Sequence, residues 1–484
     1  MPVERRNPPA ELLHARKWPI FGVTMIGLFM ALIDVTIVNI TIPELQRELD
    51  APVDTVSWVL NAYNIMFAVL LVSMGRLADQ FGRRRFFLIG MSIFTLGSLL
   101  CAVSWSIDAL IGFRILQAVG AGILAPLALA TTAMVFPPAQ RGLGLATIAV
   151  VANVAAAIGP PLGGVLVELA SWHWIFAINV PIGLLGIVLG LRTLPETYDL
   201  TATRSVDWLG MGLLGGAVVS LTYALVEGSS RGWGSPLIVG LLAASAALTA
   251  AFAASQRYGR APMLTSALLA NRQFLAASAS FVLFAMAVMG PLFLAVIAFV
   301  DLWGYSQIEA ALAISPIALL GVLVSPLVGR VADRVQPRVV AIPSLLLMVA
   351  GLVWLGAFPE RPDYLAVLPA LALLGIGIGA IFPATSVGAM GSISGQELGL
   401  GSGIVNMARQ LGFALGIATL VAVFTGAVAD GVALRDAFGQ GFRVAAIAAL
   451  LAVPFALAMR RRPADAQPEV GSRVARTAPA APVT

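Results

Sequence analysis

Charge is what this chain has least of. Charged residues occupy 11% of 484 positions, and Lys17 is the sole lysine among many arginines. A soluble domain keeps about a quarter of its residues charged to hold a hydrated surface, so a soluble fold is excluded. Cys101 is the only cysteine, which rules out an intrachain disulfide, and it falls inside an apolar run. His14 and His173 lie far apart in the sequence and make no metal site. No stretch reads Gly-x-x-x-x-Gly-Lys-Ser/Thr, which removes an ATP-binding phosphate loop. No nucleophile–base set marks an enzyme, and no cofactor is implied.

What the chain has instead is apolar length. Hydrophobic residues make up 59% of it, and its mean hydropathy is +0.93. This is the composition of an all-α polytopic membrane protein. Fourteen runs are long enough to cross a bilayer, at about 18–42, 54–75, 85–105, 108–135, 142–167, 173–192, 207–227, 236–254, 273–299, 308–329, 338–357, 364–390, 398–424 and 439–459. The first run follows a basic segment but is too long for a signal peptide, so it is read as a retained helix.

The net charge of +5 points to nucleic acid only until the charges are placed. An even number of spans puts both termini on one side. On that side fall Arg5, Arg6, Arg16, Lys17, Arg76, Arg83, Arg84, Arg85, Arg141, Arg192, Arg330, Arg334 and Arg338, among others. The opposite loops hold only Arg47, Arg231, Arg361 and Arg435, beside acids such as Glu44, Asp50, Asp54, Asp301 and Asp436. The cations are therefore topology signals, nucleic acid is not a partner, and both termini are expected in the cytoplasm. The Pro-, Ala- and Arg-rich tail after Arg460 is expected to be disordered.

The chain repeats itself. Gly75-Arg76-Leu77-Ala78-Asp79-Gln80 returns as Gly329-Arg330-Val331-Ala332-Asp333-Arg334. Gly120, Gly122 and Pro126 match Gly377, Gly379 and Pro383, while Gly142, Leu143, Gly144 and Gly159 match Gly399, Leu400, Gly401 and Gly416. All offsets are 254 to 257 residues. The expected organisation is a cytoplasmic segment 1–17, a six-helix bundle 18–192, a linker 193–272 with two extra spans, a second six-helix bundle 273–459 and a cytoplasmic tail 460–484. Repeated halves around a midplane site are a common plan for secondary transporters.

Asp34 lies inside the first run, where a charged carboxylate costs roughly 2.5–3.5 kcal/mol. It must be paired, hydrated or protonated; the alternative to a proton or cation site is a helix-packing role. Arg114 in the fourth run, with Gln117 one turn on, sits about 9 Å from the far boundary, and Asp34 about 12 Å, at 1.5 Å per residue. The two depths allow them to meet. A neighbouring cation favours the ionised carboxyl and burial the neutral one, so a moving cavity would move a proton. The other reading of Arg114 is snorkelling to the interface.

Gly75-Arg76-Leu77-Ala78-Asp79-Gln80-Phe81-Gly82-Arg83-Arg84-Arg85 joins the second and third runs, and its charges suit a latch between halves or simple anchoring. Gly159, Gly163 and Gly164 let another helix approach the fifth run, while Pro160 and Pro161 interrupt its hydrogen bonds. Asn61, Tyr63 and Asn64 give the second run a polar face toward a cavity. Asn406, Arg409 and Gln410 in the thirteenth run place a cation near the midplane, where snorkelling is hard. Phe284, Met286 and Met289 either form an adaptable pocket or face lipid.

The Gly75–Arg85 loop, with its second copy, resembles the signature loop of the major facilitator superfamily. Gly159-Pro160-Pro161-Leu162-Gly163-Gly164 is similar to that superfamily's antiporter motif. Leu32-Ile33-Asp34-Val35-Thr36-Ile37-Val38-Asn39 with Pro43, and Trp172-His173-Trp174-Ile175-Phe176 with Asn179, Pro181 and Gly183, resemble its fourteen-helix drug:proton antiporter branch, as does Asn406-x-x-Arg409-Gln410. The resemblance implies two six-helix bundles plus two linker helices and makes Arg114-x-x-Gln117 a proton-transfer motif. The expected activity is proton-coupled export of amphipathic compounds (drugs, antiseptics or secondary metabolites) across the cytoplasmic membrane. The expected partners are lipid, protons and a lipophilic small molecule, and the expected state is a monomer. A dedicated exporter of one metabolite, or a non-transporting receptor or scaffold, stays open.

Overall fold

The computed structural model describes residues 8–137, 140–198, 206–259, 262, 264–332, 335–393 and 398–459. Fourteen of its helices are long and apolar enough to cross a bilayer. In the first half these are α1 (Lys17–Glu48), α2 (Val53–Phe81), α3 (Arg83–Ala102), α4 (Ile107–Val135), α5 (Arg141–Leu169) and α6 (His173–Thr193). Then come α7 (Trp208–Arg231) and α8 (Pro236–Tyr258). The second half holds α9 (Arg272–Leu302), α10 (Gln307–Ala332), α11 (Pro337–Leu355), α12 (Tyr364–Met390), α13 (Leu398–Ala429) and α14 (Leu434–Leu457). The tail 460–484 and the pair Asp333 and Arg334 lie outside the described residues.

Each helix satisfies its backbone internally, as hydrocarbon demands. Ser106, Asp207, Asn271 and Asp363 accept bonds from backbone N–H groups of the first turns of α4, α7, α9 and α12. Gly82 separates α2 from α3 with φ of 113°, a conformation that favours glycine. α1 runs farther than its apolar run implied. After a tight turn at Val38–Thr41 it continues to Glu48, so Asp34 sits deeper than the sequence count gave.

The repeat is structural. In the first half α3 packs on α4, α2 on α4, α1 on α4, α5 and α6, and α3 on α6; the same pairs recur in the second half eight helices later. The matched glycines stand at matched crossings. A Cβ on Gly120 would lie 2.7 Å from Gly90 O and from Phe94 Cα of α3. One on Gly377 would lie 2.8 Å from Ser344 O of α11 and crowd Met348 there. Only a residue without a side chain admits helices this close.

The halves join along α2 with α13 and α5 with α10. α7 lies over the first of these seams: it packs on both α2 and α13, with Tyr223 beside Trp58 at 5.9 Å and Ser229 Oγ donating to Ala422 O at 2.9 Å. α8 packs chiefly on α7 and is mostly exposed, as suits a lipid-facing helix.

Candidate functional site

Asp34 is fully buried in α1, and the structure brings Arg114 and Gln117 of α4 onto it. Arg114 Nη1 makes an ion pair with Asp34 Oδ2, both side chains having no exposure. Gln117 Nε2 donates to Asp34 Oδ1 at 2.8 Å and to Ser98 Oγ of α3 at 2.8 Å, while its Oε1 accepts from Arg114 Nη1 at 2.6 Å. Arg114 Nε donates to Val59 O of α2 at 3.0 Å. The guanidinium lies over the Tyr63 ring at 4.1 Å and 5.6 Å from the Phe176 ring. Arg114 therefore does not snorkel. It holds α1, α2 and α4 at one point, in a setting that strengthens each polar contact and penalises each unmade one.

Tyr63 belongs to this cluster rather than to an open cavity, since its ring is fully buried and its hydroxyl donates to Ala31 O at 3.0 Å. Asn61 and Asn64 are also buried, and their amide atoms have no hydrogen-bond partner. Sequence reasoning did not find Ser98 or the Val59 carbonyl, and it named Phe176 only as part of a motif, not as a wall of this cluster. They come from helices that meet only through packing.

The Gly75–Arg85 segment ties the near ends of the first half together. Arg83 Nε donates to Asp79 Oδ1 at 2.8 Å, and Arg84 Nη2 donates to Leu191 O at 2.8 Å. The backbone N–H of Arg84 donates to Glu196 Oε1 at 3.1 Å, and Arg85 lies 3.7 Å from the same carboxylate. Arg76 Nη1 donates to Pro262 O, beyond α8, at 3.2 Å, and Gly75 packs against Pro126 of α4. Glu196 is the partner that the sequence did not single out. It sits just past α6, with no motif around it. In the second copy Gly329 closes no contact, and the side chain of Arg330 is not described.

The Gly159–Gly164 motif lies in a helix that continues through Pro160 and Pro161. Gly159 and Gly163 face α1, against Thr36, Ile37 and Ile40, whereas Gly164 faces α10 across the seam. The same far side carries Glu168 accepting from the Ile308 N–H at 3.0 Å and Asn39 Nδ2 donating to Met289 Sδ at 3.4 Å. The two halves are thus closed against each other opposite the termini. A Cβ on Gly164 would lie 2.8 Å from Ala311 Cβ and from Gln307 O. Gly164→Val is therefore expected to wedge α5 from α10 and to raise maleimide labelling of a cysteine placed at Gln307 several-fold. Cys101 is fully buried and gives little background. Unchanged labelling would mean that this crossing is not a seal.

In α13, Asn406 Nδ2 donates to Ser402 O at 3.0 Å, Gln410 is fully buried without a partner, and Arg409 faces the Phe382 ring at 5.4 Å. These three stand apart from the Asp34 cluster, where Gln117 already uses both its amide atoms. Phe284 and Met289 are buried rather than turned to lipid, Met289 at the seam against Asn39 of α1.

The family model described as Major Facilitator Superfamily matches residues 24–417. The chain belongs to the Major Facilitator Superfamily. It is a multi-pass membrane transporter, as the proteins of that superfamily are, and not an enzyme. Multidrug resistance protein Stp of Mycobacterium tuberculosis (strain CDC 1551 / Oshkosh) is 35% identical over 404 residues, which cover 83% of this chain and 74% of that one. Puromycin resistance protein pur8 of Streptomyces alboniger is 35% identical over 422 residues, 86% of this chain and 83% of its own. The tetracenomycin C resistance and export protein of Streptomyces glaucescens is 30% identical over 423 residues, 87% and 78% of the two chains. A POT family transporter crystallised with a thioalcohol conjugated peptide superposes with TM-score 0.68 at 14% identity, over 91% of this chain and 96% of that one. At that identity the likeness is one of fold, and the fold is that of the Major Facilitator Superfamily.

Proposed function

We propose that this transporter is a proton-driven antiporter that exports amphipathic organic compounds across the cytoplasmic membrane by alternating access. The observation that carries the reading is the buried carboxylate–guanidinium–amide cluster of Asp34, Arg114 and Gln117. A proton on Asp34 removes the charge that holds Arg114 to α1. The guanidinium keeps its bond to Val59 O, so its grip passes from α1 to α2. α1 also carries Asn39 and the residues that face Gly159 and Gly163, at the end where the halves close. Loosening α1 from α4 therefore acts on the far-side closure. Protonation and rocking are linked through one helix, with no cofactor needed. A membrane potential supplies about 2.3 kcal/mol per charge per 100 mV to drive the cycle.

The arginine bias toward the termini supports an orientation with both ends in the cytoplasm of a bacterial cell, embedded in the inner membrane, and nothing in the site calls for more than a monomer. Drug- and antibiotic-resistance relatives support export rather than uptake. The test is flux in proteoliposomes under an imposed pH gradient, with lipophilic cations, neutral drugs and anionic drugs offered in turn. Uphill movement of cargo that collapses with the gradient is expected; flux indifferent to pH would overturn the coupling. A second reading, one dedicated metabolite, is favoured by relatives whose names each carry a single antibiotic. It would appear as flux of one member of the panel alone.

A further inference from the structure

Arg409 has no role in the proton cluster, yet it is the more unusual arginine. It stands near the middle of α13, with its Nε buried and without an acceptor. No described carboxylate pairs with it. The sequence explains why: Asp34 is the only acid deep within a span, and Arg114 holds it. A guanidinium at this depth is costly unless water or something negative joins it.

Its neighbours are donors without partners. Gln410, adjacent in sequence, is fully buried, and neither atom of its amide is bonded. Arg409, Gly412 and Gly416 share the helix face that packs on α9, where Gly416 meets Met286 and Gly290. The register set by these contacts puts Ser280 of α9 level with Arg409. Thr385 stands one turn from Phe382 on α12. The hydroxyls of Ser280 and Thr385 are both buried and unbonded. Phe382 covers one face of the guanidinium, and its ring meets Phe281 edge-on at 5.7 Å. The guanidinium, the Phe382 ring and the unbonded amide and hydroxyls thus lie at one level of α9, α12 and α13.

We propose that Arg409, Gln410, Ser280 and Thr385 form a subsite for the acidic group of an aromatic organic anion, such as a carboxylate or phenolate, with Phe382 against its ring. A planar guanidinium pairs with a carboxylate by two parallel bonds, and the amide and hydroxyls supply the remaining donors. The exporter reading enters only in taking this anion as cargo.

The test uses the purified full chain in phosphatidylcholine nanodiscs, with tritiated naphthoate and tritiated tetraphenylphosphonium as probes and no gradient. Arg409→Gln is expected to lower the ratio of naphthoate to tetraphenylphosphonium affinity about tenfold or more, the usual scale for a lost charge-assisted bond. Arg409→Lys is expected to restore part of it. Because the substitution removes a charge that no described carboxylate pairs, Arg409→Gln should melt no lower than the native chain; a large drop would make Arg409 structural and overturn the subsite. An unchanged affinity ratio would do the same, as would displacement of naphthoate by phosphatidylglycerol in the disc, which would assign the cation to lipid. Since no proton gradient is present, a failure of coupling elsewhere leaves this result standing.

Discussion

Asp34→Asn is expected to leave a folded, monodisperse transporter whose gradient-driven accumulation of cargo falls to the level of protein-free liposomes. Asparagine keeps the size of aspartate and an oxygen that accepts from Arg114. Arg114 retains Val59 O, Gln117 Oε1 and the face of Tyr63, so the helices stay joined. What disappears is the one carboxyl that the sequence places deep within a span, the proposed proton carrier. Downhill movement of cargo and binding without a gradient should survive, which separates loss of coupling from loss of the site. Uphill pumping at the native rate by the variant would end the proposed role.

The second large effect is on stability. Arg114→Met is expected to destabilise the chain by about 3 kcal/mol, the scale for removing one partner of a buried ion pair and leaving the other uncompensated. The loss should be greatest at alkaline pH, where the abandoned Asp34 would have to carry its charge, and should shrink as acid neutralises it. Adding Asp34→Asn to Arg114→Met removes that charge altogether, so the double variant should melt above the single one. Thermal melts in detergent across pH, on both variants, check the order. A single variant as stable as the native chain at every pH would mean that the pair holds nothing together.

The spans were legible in the sequence because hydrocarbon forces a long apolar run on every crossing, and the repeat because the same close crossings need glycine twice. Gly120 and Gly377 show this directly: each touches the backbone of its preceding helix at the equivalent place. The meeting of Asp34 with Arg114 followed from two buried charges at similar depth. Their surroundings did not follow. Ser98 and the Phe176 ring lie on other helices, and no pattern announces which hydroxyl or aromatic will face inward. Glu196 was hidden for a different reason, since a lone acid after a helix end looks like any solvated residue until Gly82 is folded against it. The first run was drawn too short because Glu44, Arg47 and Glu48 end its apolar stretch, whereas the helix continues and Trp172 Nε1 bonds the Glu48 carboxylate.

The proposed cycle requires the Asp34 carboxyl itself to change protonation. Infrared difference spectra between high and low pH, recorded on the native transporter and on Asp34→Asn in lipid, read that group directly. A protonated-carboxyl C=O band that appears on acidification in the native protein, shifts when cargo binds and is missing from the variant is the expected result. An identical band in both proteins, or none in either, would place the titrating proton elsewhere and contradict the account.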